Sequence, residues 1–237
     1  MDLGKIRKEL IYPFCRIESK RLLQKFHEKP RTLKEVVDAA MDFGGHGYLR
    51  VKTMQIRSEI LQLAEMVAEI QPKTILEIGT HRGGTLFIWA HLASELAVSC
   101  DINDMRRQEW LFTKFPPPSS RCEVKLLSGN SHDPAFFQRV RNVLAERQVD
   151  FLFIDGDHTE EGVSQDYQMY KDLVRPGGLI AFHDIVDNQP YETNQVQFFW
   201  KKLKKIADVV EIIENPNQTG FGIGVLRVPA EGAPDLH

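Results

Sequence analysis

Cysteine is scarce in this sequence. The 237 residues hold three, Cys15, Cys100 and Cys122, odd in number and outside any C-x-x-C spacing. That excludes a disulfide framework and a thiolate zinc site, and it agrees with a reducing, cytoplasmic setting. Long apolar runs are missing as well. LIYPFC, the longest near the N-terminus, is too short for a signal-peptide core or a membrane span, so no targeting or transmembrane segment is expected. Charge of one sign is not in excess: 30 Lys and Arg face 33 Asp and Glu, for a formal net charge of -3. Such a balance does not ask for a nucleic-acid partner. Internal repeats and low-complexity tracts are absent. So is the dinucleotide fingerprint G-x-G-x-x-G: His81 stands where its middle glycine belongs and would crowd a pyrophosphate. A nicotinamide-dependent oxidoreductase is therefore disfavoured.

What is present is the composition of a globular chain, 42% hydrophobic and 27% charged. Residues 1–34 carry ten Lys/Arg against four Asp/Glu, with Ile6, Leu10, Ile11, Phe14, Ile17, Leu22, Leu23 and Phe26 at roughly helical spacing and breaks expected at Pro13 and Pro30. A solvated helical arm packed on the main body or on a second subunit is the plain expectation. Docking on an anionic surface is the alternative. A short helix and a glycine-rich loop, Gly44 to Gly47, join this arm to a helix that Pro72 closes. The spacing thus predicts a helical extension over 1–53, a body over 54–229 and a tail over 230–237.

From residue 73 short apolar strands alternate with helices: KTILEIG, a helix over 84–96, LAVSCD, a helix over 105–115, EVKLLSG, a helix capped by Asp133 and opened by Pro134, and DFLFID. A helix from about Glu160 to Leu173 and an RPGG turn lead into GLIAFHD. This is the pattern of a doubly wound, Rossmann-like α/β fold with a mostly parallel sheet. The tail departs from it. DVVEIIE and FGIGVLRV follow one another across the turn signal NPNQTG, with no helix between, and read as an antiparallel hairpin at the sheet edge.

Ligands of open α/β sheets bind at the carboxyl ends of the strands. ILEIGTHRGG brings backbone N–H groups and a helix start to that end, with Gly79 and Gly83 permitting close approach. Asp101 ends the second strand 22 residues after Gly79, where a carboxylate can accept bonds from both ribose hydroxyls. SGNSHD, residues 128–133, ends the third strand with small polar groups suited to an adenine edge. FIDGDHTEEG, residues 153–162, ends the fourth with three readings open: a metal site, an acid/base site, or a strand end followed by a helix cap.

LEIGTHRGG, SCDIND, VDFLFIDGDHTEEGVSQD, RPGGLIAFHDI and FGIGVLRV resemble the class I S-adenosylmethionine-dependent methyltransferases. The branch is the one that includes cephalosporin-hydroxylase-like and macrolide or sugar O-methyltransferases. The likeness runs from about residue 55 to 228, leaving the arm uncovered. It implies a seven-stranded sheet ending in the hairpin, and S-adenosyl-L-methionine as cofactor. Cofactor contacts would come from Glu77, Gly79, Thr80, Gly83, Asp101, Gly129, Asn130, Ser131, Asp155 and Asp157. Relatives of this branch hold a divalent cation with acids ending strands four and five. The matching positions are Asp155, His183 and Asp184, a set that suits Mg2+ or, given the imidazole, a softer divalent ion. His158 matches the proton acceptor of catechol-type enzymes, with Asp155 beside it in the catalytic pair. Asp157 would support His158 or the cofactor.

The activity so implied is methyl transfer to a hydroxyl of a small molecule, with self-association through the N-terminal helices as a further expectation. A non-catalytic cofactor-binding or scaffold protein is the competing expectation. Asp187 and Asn188 are alternative cation ligands, and Arg50, Lys52 and Gln55 candidates for the acceptor side.

Overall fold

The computed structural model describes residues 3–236; Met1, Asp2 and His237, the outer ends of the expected extension and tail, lie outside the described residues, as do the side chains of Leu3 and Lys5. Strands β1 (Thr74–Ile78), β2 (Leu96–Asp101), β3 (Glu123–Ser128), β4 (Val149–Ile154), β5 (Val174–His183), β6 (Val209–Ile212) and β7 (Ile223–Arg227) form one sheet. Their order is β3-β2-β1-β4-β5-β7-β6. The first five run parallel, while β7 lies antiparallel to both β5 and β6. The expected mostly parallel sheet with a closing hairpin is therefore the one observed. The chain winds from β1 out to β3 and then returns across β1 to β4, so the crevice between β1 and β4 is the topological switch point.

Both faces of the sheet are covered, which is why β1 (TILEI) and β4 (VDFLFI) are buried at every residue. Alternate residues feed two cores. Ile75, Phe151, Phe153, Ala181 and Val225 face one side; Leu76, Ile78, Leu152, Ile154 and Phe182 face the other. The first side is covered by α1 (Leu3–Phe26), α2 (Leu33–Met41), α3 (Arg57–Glu69), α4 (Gly84–Leu92) and the short α5 (Glu109–Phe112). The second is covered by α6 (Pro134–Leu144), α7 (Glu160–Tyr170) and α8 (Val196–Leu203).

Residues 3–53 share the first core. Cys15, Leu23, Val36, Val37, Leu49 and Val51 pack in one cluster with Phe87 and Trp89 of α4. The α4 sequence GTLFIWA explains this: it is buried all round, because the sheet lies on one side and α2 on the other. The link is also a backbone one. Lys52 bridges Gly83 in parallel, and any Cβ at Gly84 would collide with the backbone of Lys52 and Thr53.

Several boundaries differ from expectation. α1 runs unbroken through Pro13. An interior proline costs about 3 kcal/mol, but Pro13 is exposed, and burial of Cys15, Ser19 and Leu23 on the opposite face offsets the lost bond. The helix expected over 105–115 shrinks to α5, because Ser128 Oγ takes the Met105 N–H and Asp104 holds the Arg106 side chain and N–H. α4 stops at Leu92, and the N–H groups of Ser94 and Glu95 donate to Pro72 and Lys73 as the chain turns into β2. RPGG is part of β5 and not a turn before it: Gly177 N–H donates to Val228 and Gly178 O accepts from Val228 N–H, with a register shift against β4.

One strut fixes the hairpin. Glu59 of α3, 1% exposed, accepts hydrogen bonds from Glu214 N–H, Gln218 Nε2 and Gly222 N–H at 2.8 to 3.0 Å. Glu59→Ala removes the acceptor of one buried and two part-buried donors and is expected to cost about 2 kcal/mol or more. Glu59→Gln, which keeps an acceptor, is expected to cost less. Urea unfolding checks both, and equal loss in the two variants would deny the strut its hydrogen bonds.

Candidate functional site

A cavity of about 740 Å3 opens at the carboxyl ends of β1, β2, β3 and β4, over the switch point. Its floor depends on Gly79, at φ 99, where a Cβ would overlap the carbonyl oxygen of Asp155. Glycine alone lets the ends of β1 and β4 approach this closely. Asp101 is set at the wall by its own bonds. Its Oδ2 accepts from His81 N–H at 2.7 Å, and its Oδ1 accepts from Asn103 N–H and Nδ2 at 2.8 and 2.9 Å. Gly129, Asn130, Ser131 and His132 form the next stretch of wall, and Asp155, Asp157 and His158 the one after it.

Of the residues expected at the cofactor, Gly79, Asp101, Gly129, Asn130, Ser131, Asp155 and Asp157 line the cavity. Glu77, Thr80 and Gly83 are outside the lining and form the layer beneath it. Glu77 is fully buried and accepts from Trp89 Nε1–H at 2.9 Å and from the Ser99 hydroxyl. Burial pushes its carboxyl up to about 7. Thr80 shares a hydrogen bond with Ser99. Gly83 is the left-handed N-cap of α4, with Phe112 where a Cβ would be.

At the far side of the cavity two acids meet. Asp155 follows β4 and Asp184 follows β5; together with His158 they present ligand atoms within 4.8 Å of one another. His158 stands between the acids, Nε2 3.3 Å from Asp155 Oδ1 and Nδ1 3.2 Å from Asp184 Oδ2. Further donors hold each acid. Gln55 Nε2 donates to Asp155 at 2.8 Å, Asn194 Nδ2 to Asp184 at 2.6 Å, and Phe221 N–H to Asp184 at 3.1 Å. Asp184 sits in the left-handed region at φ 66, a conformation these bonds sustain.

His183, expected as the third ligand, is 5% exposed. Its Nδ1 lies 3.2 Å from Asp155 Oδ1 and 3.4 Å from Asp184 Oδ1. Both histidines line the cavity, and His158 is the more exposed of the two. Its hydrogen bond to Asp155 raises the imidazole to about 9 against the pull of burial. Burial opposes ionisation of Asp155, yet the charges of His183 and His158 hold its carboxyl well below the usual range.

The capping alternative holds for two neighbours. Thr159 is the N-cap of α7, its hydroxyl accepting from Gly162 N–H, and Asp157 Oδ1 accepts from Thr159 N–H and Oγ1. Asp187 pairs with Lys201 and Asn188 with Thr219. Arg50 pairs with Asp42. Sequence reasoning missed Asn194, Phe221 and Glu59. Only the run of glycines at Gly220 and Gly222 hinted that the hairpin loop returns to the site.

A model of the family described as rhamnosyl O-methyltransferase/CmcI matches residues 44–215. The rhamnosyl O-methyltransferase of Mycobacterium tuberculosis is 21% identical over 140 residues, 58% of this chain and 56% of its own length. An uncharacterized protein of the Acanthamoeba polyphaga mimivirus is 28% identical over 141 residues, 57% of this chain and 62% of its own length. The chain thus spans roughly three fifths of the length of these two relatives. Two solved structures share the fold. An O-methyltransferase from Bacillus cereus in complex with SAH aligns with a TM-score of 0.58 at 18% identity, over 84% of this chain and 93% of that one. The MycE methyltransferase of the mycinamycin pathway, in complex with Mg, SAH and mycinamycin VI, aligns with a TM-score of 0.57 at 16% identity, over 85% of this chain and 54% of that one.

The wall at His132 carries a pH dependence. Its Nε2 lies 3.3 Å from Oδ1 of the fully buried Asp166, and the bond to Asp166 raises the imidazole's pKa against burial. A raised folded pKa adds stability that is complete below the unfolded value of ~6.5 and fades as pH climbs through the folded one. Thermal midpoints of the protein and of His132→Gln are therefore expected to differ most in acid and to converge as pH rises. A gap that widens with pH would contradict the pairing.

Proposed function

The chain belongs to the rhamnosyl O-methyltransferase/CmcI family, and on that premise we propose that it transfers a methyl group from S-adenosylmethionine to a hydroxyl of a small molecule, a sugar hydroxyl being the class favoured. The observation that carries this is one cavity with Asp101 on one wall and the Asp155, His158 and Asp184 cluster on another. Asp101 suits ribose hydroxyls, and the neutral loop Gly129 to Ser131 beside it suits an adenine edge. At about 740 Å3 the cavity has room for a nucleoside and an acceptor together. Gly79 lets the ends of β1 and β4 close together at the cavity floor.

A methyl sulfonium carries its own leaving group, so the chain's task is to align the acceptor oxygen, exclude water and let the hydroxyl proton depart. The cluster serves that end of the reaction. Asp155, Asp184 and His158 would hold a divalent cation; two carboxylate oxygens and one imidazole nitrogen fit magnesium, manganese or a softer ion. A cation there supplies a fixed place for the acceptor oxygen and lowers its pKa. We give His158 the ligand role because it stands between the acids and is the more exposed of the two histidines. His183, beside Asp155, balances their charge. Met54 and Tyr191, exposed at the rim, offer apolar contact to the acceptor. Among the described residues no helix is long and apolar enough to cross a membrane. All three cysteines are buried and unpaired, which supports a reducing compartment.

Calorimetry is expected to show binding of S-adenosylmethionine and S-adenosylhomocysteine, weakened about tenfold to a hundredfold in Asp101→Ala by loss of charge-assisted hydrogen bonds. No binding of either ligand would overturn the proposal. Chelation of divalent ions, or Asp184→Asn, is expected to abolish methylation of hydroxylated acceptors while cofactor affinity stays within about twofold, because the cluster and Asp101 occupy different walls. Full turnover after chelation would remove the cation from the mechanism.

A further inference from the structure

α1 has a second face that nothing in the chain covers. Its inward stripe, Ile11, Cys15, Ser19, Leu23 and Phe26, packs on the body. Half a turn round the helix, Leu10, Phe14 and Ile17 repeat at i, i+4, i+7 and are 71%, 73% and 53% exposed. A single exposed leucine is ordinary, whereas three in one stripe on a 24-residue helix form a surface. The basic residues of the arm flank it. Arg7, Arg21 and Lys25 run along one edge and Lys20 along the other, all exposed and none in an ion pair with a described residue. The acids Glu9 and Glu18 share these edges at helical spacing, but they are engaged by Arg107 and His46, so the outward face is apolar at its centre and keeps unpaired cations at its margins.

We propose that this face of α1 docks on the headgroup region of an anionic lipid surface. Apolar side chains along one stripe with Lys and Arg beside them suit the boundary between headgroups and acyl chains, each basic residue adding attraction to acidic lipid. A second copy of this chain fits less well. A two-fold pairing of identical faces would bring Arg7, Lys20, Arg21 and Lys25 of each copy against the same cations of the other. Three apolar side chains also fall short of the area a stable dimer buries. Nucleic acid matches the cations but leaves Leu10, Phe14 and Ile17 without a purpose. The inference stands on α1 alone and is independent of the chemistry in the cavity.

The full chain is tested by co-sedimentation with vesicles of phosphatidylcholine alone and of phosphatidylcholine mixed with phosphatidylglycerol. Binding is expected to be at least about tenfold greater to the anionic vesicles and to weaken at high salt. Leu10→Ser/Phe14→Ser/Ile17→Ser, and separately Arg7→Gln/Lys20→Gln/Arg21→Gln/Lys25→Gln, are each expected to lower it by about tenfold or more. Both sets replace exposed side chains, so unchanged thermal midpoints and unchanged S-adenosylhomocysteine binding serve as folding controls. Equal binding to both vesicle types, no binding to either, or full binding by either folded variant would overturn the proposal. So would conversion of a dimer to a monomer by the triple serine variant in sedimentation velocity, which would assign the face to a second copy.

Discussion

Two carboxylates that share a mostly buried space repel one another, and the architecture around this cavity depends on how that repulsion is held. Asp155 and Asp184 come from the ends of neighbouring parallel strands, where the sheet would place any pair of polar residues close together. Two imidazoles, two side-chain amides and the Phe221 N–H surround them. Each donor arrives from a different part of the chain: Gln55 from the segment before α3, His158 from the β4 end, Asn194 from before α8, and Phe221 from the hairpin loop. A cluster so supplied is preorganised, because no single loop can shift without leaving a buried charge short of a partner.

That requirement reaches far from the cavity. Phe221 is in place because Gly222 beside it is anchored to Glu59 of α3. α3 lies with α2 and α1 on the face that α4 shares. α4 in turn is capped by Gly83, just after the turn whose His81 N–H fixes Asp101. The nucleoside-facing wall and the acidic wall are thus joined through the first core as well as through the sheet. Residues 3–53, where the sequence offers only Arg50 and Lys52 as acceptor-side candidates, complete that core, and the close backbone contacts of Lys52 and Thr53 with Gly83 and Gly84 tie the end of this segment to α4.

The layout was legible wherever the physics is local. The Asp133 and Pro134 helix start and the terminal hairpin follow from backbone preferences within a few residues, and both appear as expected. Errors gathered where distant groups intervene. α1 continues through Pro13 because burial on its inner face outweighs one missing bond. RPGG joins β5 because Val228, from the far end of the chain, supplies its partners. The extent of the first core was readable in principle from the wholly apolar α4, since such a helix must be covered on both sides.

At the site, the identity of the acids and their place at strand ends were available from sequence, because a parallel α/β sheet presents its strand ends to one crevice. How the two histidines sit against them was not. His158 and His183 both lie within hydrogen-bonding range of the same two carboxylates, and their arrangement rests on side-chain direction, which depends on the loop at Gly156 and on the packing of Phe221 beside His183. Glu59, Asn194 and the outward stripe of α1 likewise have meaning only once distant segments are brought together. By itself the sequence determined the sheet, its closing hairpin and the acids at its edge, since these follow from periodicity and chain direction. Only the tertiary structure decided which donors neutralise those acids and which face of α1 stays uncovered, because both depend on what packs against a side chain and not on its neighbours in sequence.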